Sequence, residues 1–402
     1  MVYDINKDKK LIRYKRNIKN YEWISYFNAT ILIWGVMTLY YHFKGLNFLE
    51  ISLLQSIGSV IVLILEIPLG WISDHYGHSA VLKISALTKV LGVLSLIVFD
   101  TFYLLIISEI FLAIATAAQS GSDTALLYES LIETGKEKEY TDILARVRGR
   151  QSLIRILSRI IAPLTFMCFP ELPFIISLLI YLIINMLTLG YMTPSKEVQP
   201  DKIQSNGVKK RLLNVIITNK AFIAYSMLSA FVLVSVSNYS QYISPFLVER
   251  GLNIKWLGIV MAAASLGNYL GTKLVKVSKK MDRTRTLVLL AMVIFCFVVL
   301  GGANETILGG AFAYFGINIA YSPFIVLLKE SINSVIDNKY RATFLSVSSQ
   351  FDELFSILID PAIGVSIDIL GFKLVYVWLG IISMLLLAII TIIINRGSLN
   401  RD

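Results

Sequence analysis

Twelve apolar runs, each long enough to cross a lipid bilayer, follow one another along this sequence. They cover residues 21–41, 52–72, 81–99, 103–122, 152–169, 173–192, 221–243, 256–275, 286–303, 307–328, 343–367 and 374–394. Crossing a hydrocarbon core of about 30 Å takes about 20 apolar residues in an α-helix. The runs lack the short alternating pattern of membrane barrel strands. Because a lipid-embedded backbone must satisfy its own hydrogen bonds, the runs predict an all-α membrane protein with twelve transmembrane helices.

Composition excludes several classes of protein. The chain is 56% hydrophobic and 16% charged, with a mean hydropathy of +0.69, which is too apolar for an ordinary soluble protein. Both cysteines, Cys168 and Cys296, lie within apolar runs, so we predict neither a disulfide framework nor a metal site. No nucleotide-binding loop, His-Glu-x-x-His motif or Cys/His cluster occurs. We therefore expect no catalytic residues, no enzymatic activity and no bound cofactor.

The distribution of basic residues predicts the orientation of the chain. Most of the 37 lysines and arginines fall in alternate loops and in the first tail, and this side should face the cytoplasm. Only Lys44, Arg250, Lys255 and Lys373 fall in loops on the other side. Both termini are therefore predicted to be cytoplasmic, as tails over 1–20 and 395–402. Because the net charge of +10 is scattered over short loops, it indicates membrane topology and no nucleic-acid partner.

Short repeats indicate that the chain has two related halves. The Gly-Leu-Asn of residues 45–47 recurs at residues 251–253, each time before an even-numbered run. The Leu-Leu-Tyr-Glu-Ser of residues 126–130 recurs as Leu-Leu-Lys-Glu-Ser at residues 327–331. Repeats in the same order are typical of transporter folds built from two bundles. We predict two pseudo-symmetric six-helix bundles, over 21–192 and 221–394, joined by a basic cytoplasmic linker over 193–220.

The loop after the second run carries a family resemblance. Gly70, Asp74 and Gly77 match the pattern that the major facilitator superfamily places between its second and third helices. The preceding Glu-Ile-Pro-x-Gly, residues 66–70, resembles one drug-efflux-like branch, as do residues 120–128 and the Arg-Ala-Thr that begins at Arg341. The resemblance implies the major facilitator fold and a secondary transporter that works by alternating access.

The same resemblance implies partners, location and a gate. We expect a small-molecule substrate, a lipid bilayer setting, a monomer, and the bacterial cytoplasmic membrane. Gly70, Asp74 and Gly77 are expected to control the conformational change, with Asp74 facing the start of the eleventh helix near Arg341.

Charged residues within the apolar runs are costly, by about 2.5 to 3.5 kcal/mol at a helix centre, so each requires a reason. Glu66, Arg155 and Arg159 lie at matching depth, and with Asp123 they are predicted to form a salt-bridge network that braces the first bundle. Glu66 could instead carry a proton.

Three further carboxylates are candidates for proton coupling. Asp360 is the deepest acid of the second half, and Glu353 shares its helix face. A partner role for Asp360 within a structural network is the alternative. Glu109 stands about where many proton-driven exporters of the superfamily carry an arginine. This departure keeps a different coupling mechanism open.

The superfamily lines its substrate cavity with helices 1, 4, 7 and 10. Polar and aromatic residues of these helices are the predicted cavity set: Tyr26, Thr30, Trp34, Thr116, Ser235, Asn238, Tyr242, Tyr314, Asn318 and Tyr321. Polar contacts between helices are the competing explanation for any one of them. As a set they favour a broad amphipathic ligand.

These patterns lead to one preferred function and two alternatives. The preferred function is proton-coupled efflux of a small amphipathic compound, such as a drug or an antibiotic. Uptake or uniport of a nutrient or metabolite is the first alternative. A membrane sensor that transports nothing is the second.

Overall fold

The computed structural model describes residues 2–192, 219–278, 282–335 and 341–399, and within these ranges the chain forms helices and short connections without any strand. The chain divides into two compact units. Unit 1 comprises residues 1–46 and 54–199, and unit 2 comprises residues 47–53 and 200–402. Almost all of the predicted linker lies outside the described residues, since 193–218 are not among them.

Unit 1 contains eight helices, of which α3 begins in the short segment assigned to unit 2. They are α1 (Val2–Ala29), α2 (Met37–Phe43), α3 (Phe48–Tyr76), α4 (His78–Val98), α5 (Phe102–Gln119), α6 (Ser122–Glu133), α7 (Tyr140–Cys168) and α8 (Leu172–Leu189). Short 3-10 turns occupy Ile33–Gly35 and Glu137–Glu139.

Unit 2 contains five further helices. They are α9 (Lys220–Glu249), α10 (Ile254–Ser278), α11 (Arg283–Ala303), α12 (Ile307–Ser334) and α13 (Arg341–Leu399). α13 is two helices joined at Gly371, whose φ of 74° and ψ of 163° are not helical. The last two predicted runs, 343–367 and 374–394, lie on either side of this kink.

Nine helical stretches of the described chain are long and apolar enough to cross a membrane. The last of these, Val347–Ile392, contains the two runs on either side of Gly371. The run at 256–275 forms the helix α10, although that helix is not one of the nine. The run at 21–41 is divided between α1 and α2, so the prediction of one continuous first helix was wrong.

The repeated Gly-Leu-Asn forms the same helix-end structure in both places. Gly45 and Gly251 have positive φ values of 87° and 89°, which glycine adopts without steric cost. In each repeat the N–H of the following leucine donates a hydrogen bond to a carbonyl oxygen of the preceding helix. Leu46 donates to Tyr41 at 3.1 Å, and Leu252 donates to Leu247 at 2.9 Å. These bonds satisfy carbonyls that a helix C-terminus leaves without partners.

Glycines also allow close packing of α10 against α12 within unit 2. Gly267 and Gly271 are four residues apart, on one face of α10. A Cβ atom at Gly267 would lie 2.9 Å from the carbonyl oxygen of Phe315, and one at Gly271 would overlap that of Ile319. Small residues at this spacing let two membrane helices approach closely, and van der Waals packing then stabilises the pair.

Arg250 directly follows α9 and supports the end of α11. Its guanidinium donates to the carbonyl oxygens of Gly301 and Gly302, each at 3.2 Å, and to that of Asn304. It also lies 3.9 Å from the ring centre of Phe246. Burial lowers the pKa of Arg250 from its usual value, because partial desolvation disfavours the charged form. The three carbonyl contacts offset that cost at the helix C-terminus.

Candidate functional site

The break in the first span is the most unusual local feature of unit 1. α1 ends at Ala29 and a 3-10 turn over Ile33–Gly35 precedes α2. Ser158 Oγ of α7 donates to the carbonyl oxygen of Ala29 at 2.9 Å. The N–H of Leu32 donates to Ser177 Oγ of α8 at 3.1 Å. Irregular backbone at membrane depth requires such partners, so α7 and α8 stabilise the break.

A cavity of about 480 Å³ opens at this break. We call it the break cavity, and its lining residues are Asn28, Ala29, Ile31, Leu32, Trp34, Gly35, Arg155, Ser158 and Arg159. Of the predicted cavity residues on the first span, Trp34 lies here, with its side chain 67% exposed. Thr30 instead donates its hydroxyl to the carbonyl of Phe27 at 2.8 Å. Tyr26 accepts a hydrogen bond from Arg150 at 3.1 Å.

Three members of the predicted charge network of the first bundle do not pair with one another. Among the described residues, Glu66, Asp123 and Arg155 form no ion pair with one another. Glu66 is exposed on α3, and Asp123 accepts from the N–H of Thr124 at 2.7 Å. Arg155 and Arg159 lie one helical turn apart and both line the break cavity. Depth alone predicted the pairing, but neither Glu66 nor Asp123 lines the cavity that the two arginines share.

Asp123 belongs instead to a smaller polar cluster. Lys89 of α4 donates to Gln119 of α5, and Gln119 in turn lies 3.5 Å from Asp123. The Lys89 ammonium also lies 5.8 Å from the ring centre of Tyr181. The adjoining cavity is about 30 Å³, which is room for one or two water molecules. This cavity is too small for a substrate, so the polar cluster fits a structural role.

Glu109 is buried at the meeting of three helices. Its carboxylate on α5 accepts a hydrogen bond from the hydroxyl of Tyr41, which is fully buried on α2. Gly58 of α3 faces the same carboxylate, since a Cβ there would lie 3.3 Å from Oε2. Within the described part of the chain, no lysine, arginine or histidine forms an ion pair with Glu109.

Polar side chains of unit 2 join α9 to the first half of α13. Asn238 Nδ2 donates to Asp360 at 2.8 Å, and Ser229 Oγ donates to Asp352 at 2.8 Å. Both pairs have nearly the same sequence separation, 122 and 123 residues, so the two helices run parallel here. Glu353 is partly buried on α13, and no hydrogen bond joins it to Asp360.

The other predicted cavity residues of unit 2 are mostly buried among helices. Ser235, Asn238 and Tyr242 are fully buried, Tyr314 and Asn318 nearly so, and Tyr321 partly. Asn318 accepts a hydrogen bond from Asn268 at 2.8 Å, which joins α10 to α12. The Tyr242 hydroxyl has no hydrogen-bond partner among the described residues. In unit 1, exposed Thr116 bonds to its own helix at Leu112.

The predicted gate residues lie where α3 turns into α4. Gly77 has a φ of 86° and precedes α4, so the turn requires a residue that tolerates this conformation. Asp74 is exposed, and Gly70 lies within α3, where a Cβ atom would meet no described atom within 4 Å. The side chain of Arg341 lies outside the described residues. The gating role of this set therefore stays a prediction.

Comparison with known proteins gives the family. The sequence profile described as Major Facilitator Superfamily matches residues 22–359, which is most of the chain. The chain belongs to the major facilitator superfamily. An uncharacterized MFS-type transporter, YxaM of Bacillus subtilis (strain 168), is 22% identical over 377 residues, covering 89% of this chain and 90% of that protein.

Solved structures of the superfamily share the fold. The nucleoside transporter NupG superposes with a TM-score of 0.76 at 14% identity, covering 94% of this chain and 98% of that one. A bacterial homolog of the human lysosomal transporter Spinster, inward-facing and unoccupied, superposes with a TM-score of 0.69 at 14% identity. The match covers 96% of this chain and 98% of that one. The predicted twelve-helix, two-bundle major facilitator fold is thereby confirmed. This member of the superfamily is an integral membrane transporter of small molecules and not an enzyme.

Sequence reasoning missed several residues that the structure brings to these sites. Asp352 was overlooked because it lies off the face that Glu353 and Asp360 share. Tyr41 lies in an aromatic stretch with no motif of its own, and nothing local links it to Glu109. The serines that stabilise the break, Ser158 and Ser177, are ordinary polar residues in apolar runs. The one signal in the sequence was the presence of a serine within an apolar run, because a serine hydroxyl in lipid needs a hydrogen-bond partner.

Proposed function

We propose that this transporter couples proton movement to the export of a small amphipathic compound. The observation that carries the proposal is the buried Glu109 carboxyl, bonded to the hydroxyl of Tyr41 without an ion-pair partner in the described chain. An uncompensated charge is costly in such a place, and ionisable residues within membrane spans commonly mark proton pathways. Protons are the proposed coupling ion.

Asp360 is the second proposed proton carrier. Asn238 is its one hydrogen-bond donor among the described residues, and no described cation pairs with it. Glu66 is exposed on α3, and Glu353, as buried as Asp360, lacks the Asn238 contact, so their environments support this role less. We propose the bacterial cytoplasmic membrane as the location, with both termini inside, because the matched relative is bacterial and the basic loops alternate.

The test is transport in reconstituted vesicles with and without an imposed pH gradient. Lipophilic dyes and antibiotics serve as the panel, and the variants are Glu109→Gln and Asp360→Asn. Glutamine keeps an acceptor for Tyr41 but cannot release a proton. We expect gradient-driven accumulation to fall about tenfold or more in one variant, while exchange without a gradient persists.

Glu137→Gln is the matched control, because Glu137 is exposed in the turn before α7 and is expected to leave transport unchanged. If accumulation by the parent protein does not depend on the pH gradient, proton coupling is contradicted. That outcome would favour uptake or uniport of a nutrient. The same fold in NupG, which is described as a nucleoside transporter, supports keeping this second function.

A further inference from the structure

The break cavity combines positive charge with apolar surface. Arg155 and Arg159 contribute two guanidinium groups to its lining, and none of the described residues that line it carries a carboxylate. Arg155 forms no hydrogen bond or ion pair with any described residue, although it lies in an apolar run. On insertion scales an arginine at a helix centre costs about 2.5 to 3.5 kcal/mol. Arg155 is exposed about one turn inside the run at 152–169 and carries part of that cost, so a group that offsets its charge is expected.

The geometry limits what that group can be. A guanidinium presents a planar fork of N–H donors that matches the oxygens of a carboxylate or a phosphate. The two arginines are one turn apart on α7, so their charges converge on the same side of the cavity. Within unit 1 the cavity is therefore suited to a group with anionic oxygens.

Another part of the lining suits an apolar group. Trp34 stands 67% exposed in the break, beside Ile31 and Leu32. The backbone just before it is hydrogen-bonded to α7 at Ala29 and to α8 at Leu32, through Ser158 and Ser177. At about 480 Å³ the cavity has the size of small-molecule sites.

We propose that the break cavity binds an amphipathic anion as substrate, with Arg155 contacting its carboxylate or phosphate and Trp34 packing on its apolar part. This inference rests on the proposed transport function and names the substrate class. The same anionic chemistry is available from a lipid headgroup, so the experiment includes an arm for each source.

The experiment measures binding to the full-length protein in phosphatidylcholine nanodiscs. The probes are 3-phenylpropionate and phenyl phosphate as anions, 3-phenylpropan-1-ol as the neutral analogue, and 3-phenylpropylammonium as the cation. We expect at least one anion to bind about tenfold or more tightly than the alcohol and the ammonium. No preference for an anion, or no binding of either anion up to about 1 mM, would overturn the proposal.

Substitutions test whether Arg155 is responsible for the preference for an anion. Arg155→Gln should weaken binding of the anion about tenfold while leaving binding of the alcohol unchanged, and Arg155→Lys should retain part of the preference. Arg148→Gln is the matched control, since Arg148 is exposed on the same helix and does not line the cavity. An unchanged preference in Arg155→Gln would place the anion elsewhere and refute the assignment. Elution of each variant as a monodisperse peak excludes misfolding.

A lipid arm separates the two sources of anion. Nanodiscs that contain phosphatidylglycerol should leave binding of the anionic probe unchanged if the cavity holds a substrate. Competition by phosphatidylglycerol would identify a lipid headgroup as the occupant and overturn the substrate assignment. Binding needs no transport cycle, so anion binding without flux would refute the proposed function alone. Flux without anion preference would refute this inference alone.

Discussion

At the scale of single residues, two helix ends adopt a backbone conformation that favours glycine. Gly45 and Gly251 adopt φ values near 90°, where a side chain strains the backbone even when space is free. We predict that Gly45→Ala and Gly251→Ala each lower the free energy of unfolding by about 1 to 2 kcal/mol. Thermal unfolding of the purified protein in detergent measures this as a lowered midpoint.

Gly149→Ala is the control for these substitutions. Gly149 lies within α7, and a methyl group there would meet nothing within 4 Å. Because alanine favours the helix over glycine by about 0.5 to 1 kcal/mol, this variant should be unchanged or more stable. Equal destabilisation of all three variants would show that the positive φ is not the cause.

At the scale of helices, two polar pairs hold α9 against α13. Asn238 bonds Asp360 and Ser229 bonds Asp352, both at 2.8 Å. Hydrogen bonds between membrane helices contribute about 0.6 kcal/mol on average in double-mutant cycles. We predict a coupling of this size between Asn238→Leu and Asp360→Leu, measured as the non-additive part of their unfolding free energies.

The second pair supplies the control for that cycle. Asn238→Leu combined with Asp352→Leu should be additive within about 0.5 kcal/mol, because these residues share no hydrogen bond and lie more than two turns apart along the helices. Coupling of equal size in both cycles would mean that the substitutions shift whole helices as rigid bodies. The direct Asn238 to Asp360 contact would then not be the source.

At the scale of the whole molecule, the distribution of basic residues predicts which side of the membrane each loop faces. The alternation of basic loops predicts that the segment between α6 and α7 is cytoplasmic and that the segment between α9 and α10 is external. In a background with Cys168 and Cys296 replaced by serine, we predict that a membrane-impermeant maleimide labels Lys255→Cys on intact bacterial cells. It should not label Lys138→Cys.

Lys138 is exposed between α6 and α7, and Lys255 is exposed in the first turn of α10, so access to the reagent is limited by the membrane alone. Permeabilised cells provide the positive control, in which both variants should be labelled. Labelling of Lys138→Cys on intact cells would reverse the predicted orientation. The termini would then face outward, and the direction of the proposed transport would have to be reconsidered.

The sequence by itself determined the class of fold, the positions of nearly all spans and the repeated helix ends. These features follow from hydropathy, loop charge and glycine conformation, which act within a few neighbouring residues. The resemblance of the loop around Gly70, Asp74 and Gly77 also sufficed to name the superfamily.

Only the tertiary structure decided the break after Ala29, the contact of Tyr41 with Glu109 and the pairing of Asp352 with Ser229. It also separated Arg155 from Asp123, which the sequence had placed in one network. Depth in the membrane can be read from a sequence, but the rotation of each helix about its axis is set by packing against neighbouring helices. That rotation decides which polar groups meet and which face a cavity.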